Sequence, residues 1–333
     1  YSARSFFYFK ENIKSCKLWS YEFHDGLGAW DFFVFPSTSD SIRPKKIILK
    51  NGKFFKYDFK NFKEEKGNPL MNPEILTSIF RNIYVSQRKT SVRPEFMDYQ
   101  PDINGKMRAI LIDWLIDVHN KFKLVPKTLH LTVTILDRFL NLKSLVRQKL
   151  QLLGITSMLL ASKHEEIYAP ETQDFVYISD KTYTKEDIFK METLVCSTLK
   201  YKFSTPSSFL FLSYWLKFVE ANEEEIVFSI YCIELTLLEL SSLKFPPKTI
   251  AAGVTLTSLD VLRPFFDNKN HRESMLFYEN FFIEKNDLEE CSDFIKSCLV
   301  LNQNGKRRLT SIKRKYSVEK YNQISSAIFS VFF

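Results

Sequence analysis

Gly105-Lys-Met-Arg-Ala-Ile-Leu-Ile-Asp-Trp-Leu-Ile-Asp-Val-His119 is the stretch on which the reading of this chain turns. An α-helix advances about 100° per residue. On that wheel Met107, Ile110, Leu111, Trp114, Leu115 and Val118 form one apolar stripe, and Ala109, Ile112 and Ile116 form a narrower one almost opposite. Arg108 and His119 fall in one gap between the stripes, and Asp113, Asp117 and Asn120 in the other. A helix apolar on two opposed faces is buried among other helices. It is therefore either central to a bundle or packed between a core and a partner.

Helical periods extend on both sides of this stretch. Upstream, Asn72-Pro73 is a start signal, with Asn as N-cap and Pro in the first turn. Ile75, Ile79, Ile83 and Tyr84 follow to about Gln87, and Pro94 and Pro101 then predict an extended connector. Asp102 or Asn104 is placed to cap the central helix. Downstream, helices are predicted after Pro126, from Gln148 to Ile167, from Pro170 to Phe175 and from Lys185 to Leu199. The last begins with a Thr184/Asp187 box-like cap. Gly154 and Ala161 are small enough for another helix to cross closely.

After Thr205-Pro206 a second set begins, at 206–219, 223–242, 247–262, 271–282 and 286–300. The spacing thus predicts an all-α protein of two tandem five-helix units, preceded by a leading helix and an irregular N-terminal segment. The boundaries are 1–71 for that segment, 72–204 and 205–325 for the units, and 326–333 for a tail. At 333 residues, about two domains is also the length expectation. Residues 1–70 are rich in Phe and Tyr without a helical period, and Asn51-Gly52 between apolar runs is a weak hairpin signal.

Composition narrows the function. The 45% hydrophobic and 26% charged content is that of an ordinary globular protein. Eight glycines argue against Gly-rich nucleotide-binding folds, and no apolar run approaches a membrane span. The five cysteines, at 16, 196, 232, 291 and 298, show no CxxC spacing. They read as reduced, mostly buried thiols of an intracellular protein. A net charge of +8 is spread along the chain, with its dense basic cluster near the C-terminus, which favours no nucleic-acid partner. No His-Glu-x-x-His, P-loop or zinc spacing is present. Glu165-Glu166 diverge on a helix and read as a solvated helix end. No catalytic residue, metal site or cofactor is expected.

In its motifs the chain resembles a cyclin of the mitotic B type. The resemblance rests on Met107 to His119, Leu131-Thr132 with Asp137-Arg-Phe-Leu140, Lys149-Leu-Gln-Leu152, Ala161-Ser-Lys163 with Glu165-Glu-Ile167, and Asp174-Phe-Val-Tyr-Ile-Ser179. The second unit resembles the family more loosely, through Ala251-Ala252 and Lys313-Arg-Lys-Tyr-Ser317.

The resemblance implies a non-enzymatic regulatory subunit that binds and activates a cyclin-dependent kinase at the G2/M transition, in nucleus and cytoplasm and without a membrane partner. It places the kinase contact on Lys163 and Glu192, with apolar support from Leu160, His164, Cys196 and Phe203, and Glu166 and Ile167 near the kinase's activation segment. Position 164 is an aromatic Phe or Tyr in most of the family, and 196 is aliphatic, so His164 and Cys196 depart from the pattern. The resemblance also implies a docking patch of Met107, Ile110, Leu111, Trp114, Asp117 and Gln151 for Arg-x-Leu substrates or inhibitors. Arg108 and Asp137 resemble a structural ion pair. Lys10-Glu11-Asn12 reads as a degradation motif for a ubiquitin ligase, and Lys306-Arg-Arg308 with Lys313-Arg-Lys315 as a bipartite nuclear signal or part of the last helix.

The stripe of Ala109, Ile112 and Ile116 is expected to face the core of its own bundle. Two other readings stay open: a cyclin-fold transcription-type factor, and a degenerate paralogue that no longer activates a kinase.

Overall fold

The computed structural model describes residues 73–262, 283–303 and 309–327. Among the described residues every regular element is helical. The helices of the first half are α1 (Pro73–Thr90), α2 (Gly105–Phe122), α3 (Pro126–Leu142), α4 (Leu150–Glu165), α5 (Thr172–Ile178) and α6 (Lys185–Leu199). Those of the second are α7 (Ser208–Phe218), α8 (Glu223–Leu238), α9 (Pro247–Leu262), α10 (Lys285–Gln303), α11 (Ser311–Lys315) and α12 (Ile324–Ala327). The predicted helix at 271–282 lies outside the described residues.

The helix starts follow local chemistry. Asn104 caps α2, its side chain accepting from Met107 N at 3.0 Å. Asp102 turns elsewhere and accepts from Arg147 N at 2.7 Å. Thr184 with Asp187 and Asn222 with Glu225 form reciprocal capping boxes on α6 and α8.

The connector between Pro94 and Pro101 is not extended as predicted. Pro94–Tyr99 closes into a 3-10 helix because Phe96 and Met97 are drawn into the first core. Gln100 then pins the α3–α4 loop. Its amide nitrogen donates to Leu140 O (2.6 Å) and Lys143 O (2.9 Å), and its oxygen accepts from Leu145 N (3.1 Å).

The most enclosed helix of the first unit is α4, not α2. Every residue from Leu152 to Ser162 is buried, and α4 touches α2, α3, α5 and α6. Gly154 admits α2: a Cβ built there would lie 2.9 Å from Leu111 Cδ1, closer than real carbons approach. The second unit repeats the device around α9, which packs on α7, α8 and α10. A Cβ on Gly253 would lie 3.0 Å from both Cys291 Sγ and Ile295 Cδ1. Cys196, Cys232, Cys291 and Cys298 are free and buried, and burial raises each thiol.

Helix α2 is the one packed between a core and a partner. Leu111, Leu115 and Val118 belong to the first core. Ile112 and Ile116 are fully buried yet outside that core, and on its other side α2 meets α8, the 3-10 turn Leu240–Lys244 and α11. The expectation that this second stripe faces its own bundle is corrected: it faces the second unit.

A buried clamp reinforces the junction. Arg108 Nε and Nη2 each donate to Asp137 at 2.7 Å, while Nη1 donates to Leu237 O at the end of α8 at 3.0 Å. The pair therefore joins three helices rather than two. Nearby, Lys315 Nζ pairs with the fully buried Glu234 at 2.6 Å. His119 and His130 are also enclosed here. Burial first, and the Lys315 charge second, lower both to about 3, so both rings are neutral.

Candidate functional site

The end of α4 gathers several of the singled-out side chains. The helix stops at Glu165 because Glu166 is extended, with φ −94° and ψ 143°. Its carboxylate reaches back to the start of α3, which lacks a capping side chain of its own. Glu166 Oε1 accepts from Val125 N (2.9 Å) and Thr128 Oγ1 (2.5 Å). Glu165 pairs with Lys127 at 2.5 Å. Burial raises the Glu165 carboxyl, but hydrogen bonds from His164 and Lys127 outweigh burial and hold it below the usual range. The solvated helix end expected here is thus corrected. The two carboxylates fasten α4 to α3, because the bare N-terminus of α3 presents donors and positive dipole to them.

On the other side of the same turn, Lys163 Nζ meets Glu192 Oε1 at 2.6 Å across α4 and α6. The side chains are 47% and 18% exposed, so both ends reach water while touching each other. Leu160 and Cys196 lie beneath them, buried, and Phe203 is half-buried against the first core. His164 is exposed, its Nδ1 3.1 Å from Glu165 Oε1 and its Nε2 3.2 Å from Ser204 Oγ. Beyond the helix end Ile167 is 70% and Tyr168 79% exposed. Tyr168, which the sequence reading did not single out, extends that apolar end. Only its position after a helix-ending Glu-Ile pair pointed to it. The surface thus combines a polar pair, the buried Leu160 and Cys196 beneath it, and two bare apolar side chains beside it.

The second set of side chains lies on the outer face of α2. Ile110 is 61% exposed, Met107 and Trp114 are half-buried, and Leu111 is sunk into the Gly154 notch. Gln151 is half-buried on α4, three residues before Gly154 and so on the same face. Asp117 is engaged. Its Oδ2 accepts from Arg314 Nη2 at 2.5 Å and from Ser311 Oγ at 2.8 Å. Asp113 accepts from Ser311 N (3.1 Å) and Oγ (2.9 Å). Sequence reasoning placed Asp113 and Asp117 in one gap of the helix wheel but missed their partners, which are 194 to 198 residues away. Lys313, Arg314 and Lys315 fall in α11. Lys10, Glu11 and Asn12, like Lys306-Arg-Arg308, lie outside the described residues.

Among the described residues no group of three or more His, Cys, Asp or Glu is gathered to hold a metal ion, and no helix is long and apolar enough to cross a membrane.

Comparison with known proteins adds to this geometry. The cyclin N-terminal domain family matches residues 78–204 and the cyclin C-terminal domain family residues 204–329. Cyclin-B2-1 of Oryza sativa subsp. japonica is 38% identical over 261 residues, 77% of this chain and 60% of that protein. The G2/mitotic-specific cyclin-2 of Medicago sativa is 38% identical over 231 residues, 69% of this chain and 68% of that protein. The chain spans about 60% of the length of the rice relative. Among solved structures, a viral cyclin from herpesvirus saimiri superposes with a TM-score of 0.57 at 20% identity, covering 67% of this chain and 99% of that one. At that identity the likeness is one of fold.

Proposed function

The chain belongs to the cyclin family, with relatives of the B type, and from that membership we propose that it binds and activates a cyclin-dependent Ser/Thr kinase in mitosis. The observation that carries the reading is the Lys163–Glu192 pair, 29 residues apart in sequence, 2.6 Å apart in space and open to water. A kinase of this class must bring its αC glutamate to the β3 lysine before ATP is held productively. A partner that binds only that form shifts the population toward it, and a shift from mostly inactive to mostly active takes about 5.5 kcal/mol of differential affinity. Lys163 supplies donors and Glu192 an acceptor for the backbone around αC, while Ile167 and Phe203 supply apolar area.

Substrate recruitment belongs to the outer face of α2. In this reading Met107, Ile110, Leu111 and Trp114, with Gln151, receive the leucine of an Arg-x-Leu motif. Burying one leucine contributes about 1.5–3 kcal/mol, well below the roughly 8 kcal/mol of micromolar binding. The patch concentrates substrate and does not capture it alone. Nuclear and cytoplasmic residence, and degradation through Lys10-Glu11-Asn12, complete the proposal.

The test mixes the purified protein with a cyclin-dependent kinase and measures histone phosphorylation. Activation at micromolar protein is expected, and its absence would refute the reading in favour of a fold that no longer activates a kinase. Ile110→Ala with Trp114→Ala, at the exposed and half-buried positions of the patch, should lower phosphorylation of docking-motif substrates only. Equal loss on a motif-free peptide would count against the patch.

A further inference from the structure

We propose that the acidic end of the α2 patch is occupied in cis by Arg314 of α11, which competes with the basic residue of an incoming docking motif. The inference rests on the patch reading above and concerns its regulation.

The hydrogen-bond arithmetic at this point is unusual. Ser311 Oγ lies 2.9 Å from Asp113 Oδ2 and 2.8 Å from Asp117 Oδ2. A hydroxyl has one proton to donate, so it satisfies one carboxylate at a time. Asp113 has a second donor in Ser311 N. Asp117 has Arg314, whose Nη2 is 2.5 Å from the same Oδ2 and 3.3 Å from Ser311 Oγ. The cation thus neutralises the carboxylate that a docking arginine would seek.

Helix α11 itself is firmly held. Ile312 and Tyr316 are almost fully buried, and Lys315 makes the enclosed pair with Glu234. Arg314, by contrast, is 63% exposed. Displacing it moves one surface side chain and leaves α11 in place. The patch therefore selects peptides chiefly by their leucine, and a basic residue gains less from Asp117 while Arg314 holds its Oδ2.

The experiment measures binding of two fluorescent peptides to the full chain by polarisation. One carries Lys-Arg-Arg-Leu, which is also the sequence of this chain at 306–309, and the other has both arginines replaced by alanine. Arg314→Gln keeps the side chain long and removes its charge. It should raise affinity for the arginine peptide about two- to fivefold, the range of an exposed ion pair, and leave the alanine peptide unchanged. Arg314→Lys, which keeps a cation, should behave as the unaltered protein does. An unaltered melting temperature in both variants confirms that α11 stays docked. Equal affinities of the unaltered and Arg314→Gln proteins for the arginine peptide, or a gain shared by both peptides, would overturn the competition alone. Peptide binding insensitive to Ile110→Ala with Trp114→Ala would overturn the patch reading beneath it.

Discussion

Replacing Lys163 and Glu192 together by alanine separates a contact made to a partner from a contact made within the fold. Their mutual bond is short, 2.6 Å, but Lys163 is about half exposed. Solvent screening limits such a pair to about 0–1 kcal/mol of the chain's own stability. The double variant should therefore fold, with a melting temperature within a few degrees of the unaltered protein. In the proposed kinase contact the same atoms would make charge-assisted hydrogen bonds to backbone, each about 1.5–3 kcal/mol. Their joint loss is about 3–6 kcal/mol, comparable with the roughly 5.5 kcal/mol needed to populate the active kinase. At 1.4 kcal/mol per decade, the lower figure is already more than a hundredfold in affinity. The assay titrates each protein into a fixed amount of kinase and reads histone phosphorylation. Half-activation should need at least a hundredfold more of the double variant. Half-activation within threefold, with melting unchanged, would refute the assignment of this surface. A large fall in melting temperature would refute the argument that the pair is structurally dispensable.

Two further outcomes concern the junction between the units. Arg108→Ala strands the buried Asp137 carboxylate and leaves Leu237 O without its donor, so urea denaturation should show a loss of about 3–5 kcal/mol, and a loss below about 1 kcal/mol would contradict the clamp. His119 and His130 are held near 3 in the folded chain and return to about 6.5 when unfolded. Between those values the unfolded state binds more protons, so stability is complete above about pH 6.5 and falls as pH drops toward 3. From pH 7 to pH 5 the two rings together should remove about 4 kcal/mol, at 1.36 kcal/mol per unit for each ring; a flat urea midpoint across that interval would show that the rings are not enclosed.

Much of the architecture is legible from local pattern. Stripes at helical spacing, the Asn104 and Thr184 caps, and the small residues Gly154 and Ala161 are properties of a few consecutive residues, and a helix projects them the same way wherever it sits. The motif residues from Met107 to His119 likewise suffice to suggest the family. The family resemblance put Lys163 at the end of one helix and Glu192 on another, and the fold brings them within 2.6 Å.

What the sequence could not determine is what covers each face. The wheel shows that α2 has two apolar sides, but not that Ile112 and Ile116 turn toward the second unit, since a stripe carries no label for its partner. The Pro94–Tyr99 segment reads as extended by its prolines and becomes a 3-10 turn because the first core takes in Phe96 and Met97. Glu166 reads as solvated and instead caps α3, because the start of that helix offers donors with no local acceptor. Asp117 reads as a free acid at the edge of a patch. Only the return of the chain, almost two hundred residues later, sets Ser311 and Arg314 against it. Helix formation and capping act over a turn or two of chain, so sequence alone determines them. Burial and charge neutralisation depend on which distant segments meet, and that is decided by the packing of the two units on either side of α2.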